Sequence, residues 1–264
     1  MRHVLAAVVA AAVFVLGGAA EAQNSPAAQR VLDRARTASG GAAGWNMLRG
    51  LHEVGDEAGV AFERWLDPLR YGLRHETATA AGGKLVQGYN GAAEWRILSS
   101  GAATGSDQGE HVAKVRSDAF FGAYGYFYPS RFDLRSSHLG VRPHGGRSFD
   151  VLRVQPAGGR PRELWFDRRT GLLGRIVEPG QGGPGVATEI DDYRKVGPVT
   201  APFRFVTSGP GLDKPVVRTL KSLDFRPADR SHFSLPPPPP PPPKAQPAPT
   251  APPTEAAKPA RKRR

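Results

Sequence analysis

From Gly50 onward the chain never runs far without a glycine or a proline, and this punctuation most limits the folds open to it. Between the breaks lie short segments of β-branched, aromatic or loosely alternating residues: Val60 to Leu66, Tyr71 to Thr77, Lys84 to Tyr89 and Glu94 to Leu98. The same texture returns in Ser148 to Val154, Arg162 to Phe166, Leu172 to Val177, Val186 to Tyr193, Phe203 to Thr207 and Val216 to Phe225. Such residues fit a pleated, half-buried surface, and turn signals every ~8–12 positions give the rhythm of an antiparallel sandwich or barrel. Asn90-Gly91, between Tyr89 and Trp95, is a strong hairpin signal because both residues tolerate positive φ.

Two stretches break this rhythm with helical spacing. Ser25 followed by Pro26 supplies an N-cap hydroxyl and then a proline at the first helical position. Ala28, Val31, Leu32, Ala35 and Ala38 then form an apolar stripe, Gly40-Gly41 stops it, and Trp45 and Leu48 continue onto a second short turn. Glu110 to Tyr124 reads as an inserted helix with Val112, Val115, Ala119 and Phe120 on one side, running into the aromatic cluster from Phe120 to Tyr128. The predicted fold class is α+β, mostly β: a curved antiparallel sheet with an N-terminal and an inserted helix covering its concave side or its mouth.

The two ends of the chain read differently from this middle. Met1-Arg2-His3, the apolar run Val4 to Leu16 and the small residues of Ala20-Glu21-Ala22 predict a secretory signal peptide over 1–22, cleaved after Ala22, which places the protein in the periplasm. No later stretch is apolar enough to span a bilayer. The chain contains no cysteine, so disulfides, thiolate metal sites and a lipid anchor on cysteine are excluded, and the predicted domain over 23–235 must be held by its core. From Pro236 the composition changes to eight consecutive prolines, a Pro/Ala/Lys stretch and the basic end Arg261-Lys262-Arg263-Arg264. That tail, 236–264, is expected to stay outside the core as a disordered extension.

Of the net charge of +12, six basic residues against Glu255 give the tail +5, leaving about +7 on the domain. A positive surface suits anionic partners such as lipid headgroups or the cell wall, and the basic terminus is the candidate contact to such a surface. Export makes nucleic acid a poor partner.

Motifs for catalysis are missing. None of the seven histidines lies in a zinc-binding arrangement, and in Asp107 to His111 an aspartate stands where an inverted zincin needs its first histidine. Neither G-x-S-x-G nor S-x-x-K occurs. Gly180, Gly182 and Gly185 match G-x-G-x-x-G but precede a strand-like segment rather than a helix, so they predict a loop, not a dinucleotide site. Asp191-Asp192 would point to opposite faces of a strand. No cofactor or metal is expected. What remains is aromatic content: Trp65, Tyr89, Trp95, Phe120, Phe121, Tyr124, Phe127 and Trp165 are the candidates to line a cavity for an acyl chain, against the simpler alternative that each is ordinary core.

Three segments together resemble the periplasmic lipoprotein-localisation superfamily (LolA/LolB-like). Gly88 to Trp95 resembles its G-Y-[DN]-G-x-x-x-W hairpin; Glu163 to Asp167 with Thr170 to Leu173 resembles its L-W-[IF]-D-x-x-T-G-L segment; Asp192 to Val196 with Pro202-Phe203 resembles its D-Y-R-x-V-x-G-x-x-x-P-F segment. The resemblance implies a half-open antiparallel barrel wrapped around helices, with an apolar cavity that holds acyl chains in transit. Some similar sequences carry such a domain ahead of a retropepsin-like protease, but Asp-Thr-Gly and Asp-Ser-Gly are both missing here. The expected function is a monomeric, non-enzymatic periplasmic binding protein for lipids or lipoprotein acyl chains, as carrier or sensor. The alternative is a cell-envelope interaction module that acts through its tail without a small ligand.

Overall fold

The computed structural model describes residues 24–180 and 182–236. The expected signal peptide and the basic residues Arg261, Lys262, Arg263 and Arg264 lie outside the described residues.

The chain opens with helix α1, Pro26–Ala38, and a short α2, Gly41–Met47. Ser25 caps α1 as its sequence predicts, its hydroxyl accepting from the Ala28 amide at 3.1 Å. Gly40, at φ 134°, makes the turn between the helices where a side chain would collide with Pro198 and Val199.

A first meander follows: β1 Leu51–Glu57, β2 Val60–Asp67, β3 Gly72–Ala78, β4 Lys84–Tyr89, β5 Glu94–Ile97 and β6 Ala103–Ser106. Helix α3, Gly109–Gly122, and a 3-10 turn at Gly125–Phe127 connect it to a second meander. That comprises β7 Leu134–His144, β8 Arg147–Pro156, β9 Arg162–Asp167, β10 Leu173–Glu178, β11 Val186–Val196, β12 Val199–Ser208 and β13 Val216–Asp224. A last 3-10 turn, Arg230–Phe233, ends the described chain.

All strands join one 13-stranded sheet in the order β6-β5-β4-β3-β2-β1-β13-β12-β11-β10-β9-β8-β7. The seam between the meanders is the antiparallel β1–β13 pair, with Glu53 opposite Leu223 and Glu57 opposite Arg218. The edge strands β6 and β7 do not meet, so the sheet is curved and open rather than a closed barrel. Register shifts at Val54/Gly55, His138/Val141 and Leu173/Arg175 interrupt the ladders, and such bulges add twist and bend. The β7 edge is blunted by the chain's own start, where Asn24 bridges Ser136 and the Ser25 amide donates to the Ser136 carbonyl at 3.0 Å.

The helices sit on the concave side, as expected, and the core lies between them and the sheet. Val31, Leu32 and Ala35 of α1, Trp45 of α2, and Phe120 of α3 pack with Leu152, Leu164 and Phe166 of the second meander. Each fully buried large side chain of this kind contributes about 1.5–3 kcal/mol. Trp45 is pinned by hydrogen bonds as well as by packing: its Nε1 donates to Ser39 Oγ at 3.0 Å, and the Tyr128 hydroxyl donates to its carbonyl at 2.6 Å. Helix α3 ends at Gly122 rather than at the predicted Tyr124, which adopts a left-handed φ of 55° and so cannot continue the helix.

Candidate functional site

Helix α3 crosses the concave face without filling it. Val112, Val115, Ala119 and Phe120 bury themselves in the core, while Lys114, Asp118, Phe121 and Gly122 look onto a cavity of about 530 Å³. That volume lies within the range of small-molecule sites, roughly 300–1,000 Å³. Its floor is apolar, formed by Phe121, Tyr124, Tyr126, Leu173, Ile190 and Phe205. Burial drives the Tyr124 and Tyr126 hydroxyls above their ordinary pKa, so both are neutral over the physiological range.

Charged groups stand among these apolar walls. Arg64 of β2 grips Glu53 of β1 with Nε at 2.8 Å and Nη2 at 2.5 Å, both side chains nearly buried. Arg162 of β9 bridges Asp118 of α3 and Glu178 of β10, the latter at 3.1 Å, and Lys114 reaches Asp118 at 2.8 Å. Burial alone would raise the Asp118 carboxyl, but Arg162 and Lys114 beside it hold its pKa below the ordinary value. His75, directly across from Arg64 in the β2–β3 ladder, stacks on Phe62 with centroids 5.4 Å apart. Burial first, then the Arg64 and Arg218 guanidinium groups, push its pKa down to about 4, so its imidazole is neutral at pH 7.

Phe121 and Tyr124, among the residues expected at a cavity, do line this one. Tyr89, Phe120 and Phe127 are core instead. Tyr89 is fully buried, its hydroxyl donating to the Gly91 carbonyl at 2.8 Å and accepting from Arg116 Nε at 2.7 Å. Phe120 and Phe127 pack against neighbouring aromatic rings, Phe120 on Phe121 and Phe127 on Trp45.

The tryptophans correct the expectation outright: Trp65, Trp95 and Trp165 stand on the convex face, away from the cavity. Successive residues on a strand point to opposite sides, so with Arg64, Leu66, Leu164 and Phe166 turned inward, Trp65 and Trp165 must turn out. Trp65 stacks on His52 at 3.9 Å between centroids, and Trp165 lies beside the Arg142 and Arg175 guanidinium groups at 5.7 and 5.5 Å. Trp95 covers Gly88, where a Cβ would fall 2.0 Å from the indole, and its Nε1 donates to the Phe233 carbonyl at 2.7 Å. Missed by sequence reasoning were the charged cavity residues on β1, β2, β3 and β13. The same alternation was their signal, since an outward Trp65 puts Arg64 inward.

The G-x-G-x-x-G string links β10 to β11, a strand-to-strand connection as expected. Among the described residues no group of three or more histidine, aspartate or glutamate side chains could hold a metal ion, and no helix is long and apolar enough to cross a membrane.

No protein-family profile matches the chain, and no curated protein matches it. Solved structures do. A LolA superfamily protein from Nitrosomonas europaea aligns with a TM-score of 0.51 at 10% identity, covering 78% of this chain and 97% of that one. A DUF1329 family protein from Desulfovibrio piger aligns with a TM-score of 0.52 at 13% identity, covering 78% and 96%. At these identities the likeness is one of fold, and the chain has the LolA-like fold: an open curved sheet wrapped around helices.

Proposed function

We propose that this LolA-like chain is a non-enzymatic, extracytoplasmic binding protein for lipids or lipoprotein acyl chains, acting as a carrier or a sensor. One observation supports this reading furthest. The concave side holds an unfilled cavity of about 530 Å³ with an aromatic and aliphatic floor, although the packing around α1 and α2 is tight. Transfer of an acyl chain from water onto such a floor contributes about 0.8 kcal/mol per buried methylene, so about ten methylenes suffice to offset ordinary association costs. The signal-peptide pattern over 1–22 supports the periplasm as its compartment.

The test is native mass spectrometry, with lipid extraction, of the protein exported to a periplasm. Copurified phospholipid or lipoprotein that added fatty acid displaces would support binding. A clean apo mass, with no uptake of any apolar probe, would sink the reading and move the search for function to the tail.

A further inference from the structure

Among the described residues, one cation of the cavity is left without an ion pair. Arg218, on β13, lies opposite Phe205 of β12 and Glu57 of β1. Its guanidinium sits over the Phe205 ring, 4.2 Å from the centroid, at the edge of the apolar floor. Its Nε is buried without a hydrogen-bond partner, and among the described residues no ion pair reaches the group.

Three of the four acids that line the cavity are already engaged. Glu53 is held by Nε and Nη2 of Arg64, Asp118 by Arg162 and Lys114, and Glu178 by Arg162 and Arg160. Glu57, the cross-strand neighbour, stays beyond ion-pair distance. Burial, reinforced by Arg64, draws the Arg218 pKa down to about 10. The group is therefore still charged at neutral pH, in a place where a cation without a hydrogen-bonded anion is destabilising, although Glu53 and Glu57 partly offset its charge.

A guanidinium offers a planar fork of donors that matches a carboxylate or a phosphate, and here the fork borders an apolar floor. We infer that the cavity takes an amphiphile with an anionic oxyacid headgroup: Arg218 anchors the headgroup, and Phe205, Ile190 and Tyr124 receive the chain. This rests on the lipid-binding reading proposed above and narrows it from apolar ligands in general to anionic ones.

The experiment compares hexadecyl phosphate, hexadecanol and inorganic phosphate, each displacing a neutral fluorescent probe from the full mature protein and its variants. Hexadecyl phosphate is expected to bind about tenfold more tightly than hexadecanol, as a charge-assisted contact requires. R218Q should close that gap by weakening hexadecyl phosphate far more than hexadecanol. R218M, which removes the unpaired charge at similar bulk, should close it too while raising Tm, so that misfolding cannot account for the loss. E57Q, which removes the competing carboxylate, should widen the gap.

Equal binding of the two amphiphiles, or a gap that survives R218Q, overturns the headgroup assignment and leaves lipid binding standing. Inorganic phosphate binding as tightly as hexadecyl phosphate overturns it differently, by making Arg218 a free-anion site. Failure of all three ligands overturns the lipid-binding reading as well.

Discussion

His75 shows how the cavity's electrostatics reach stability. Its folded pKa of about 4 lies below the 6.5 of an ordinary histidine, so between these values the unfolded chain binds more protons than the native one. Its contribution is therefore complete above about pH 6.5, shrinks as pH falls through that window, and is gone below about pH 4. With the side chain partly open to the cavity, the loss should amount to about 2 kcal/mol. Urea unfolding at pH 7 and pH 4.5 measures it: H75Q should be markedly less acid-sensitive than the parent, and identical pH dependence in the two proteins would rule His75 out. Nothing in the sequence marked this residue. The sequence places it in a strand, but its titration depends on burial and then on Arg64 and Arg218, which only the fold brings near it.

Elements were more legible than sites. The capped start of α1, the glycine stop after it, and strand β4 lie where local chemistry put them, because capping, turn and alternation signals are short-range. Strands β1, β6 and β7 escaped notice for a physical reason. On β1 the inward positions include Glu53, Gly55 and Glu57, so the apolar alternation that announces a half-buried strand is missing. Glu53 is nonetheless almost fully buried, because Arg64 on the adjoining strand neutralises it. The site was misread through the same gap, since tryptophans look like cavity walls until the pleat sends them outward. At the β1–β2 seam, E53A should destabilise by about 3–5 kcal/mol, because it strands the Arg64 charge in the interior. The double variant E53A/R64M should recover most of that loss, and urea midpoints for both proteins measure it. A double variant as unstable as E53A alone would mean that Glu53 acts through packing rather than through the pair.

At the scale of the whole molecule, the question is whether the basic tail and the cavity act together. The last described turn, Arg230–Phe233, clasps the convex face: Phe233 covers Gly72, and Trp95 donates to its carbonyl. The described chain therefore ends at Pro236 on the side opposite the cavity. The arrangement predicts that ligand binding and any surface adsorption by the tail separate. Deleting residues 237–264 should leave Tm and the affinity for hexadecyl phosphate within about twofold of the parent, while removing most of the adsorption to anionic vesicles. That adsorption should itself weaken with salt, since exposed charges are screened over about 8–10 Å at physiological ionic strength. Thermal melting, probe displacement and vesicle sedimentation of the parent and the deletion decide the matter. Unchanged sedimentation would leave the tail without a surface-binding role, and a large loss of ligand affinity would show that it reaches round the edge of the sheet to the cavity mouth.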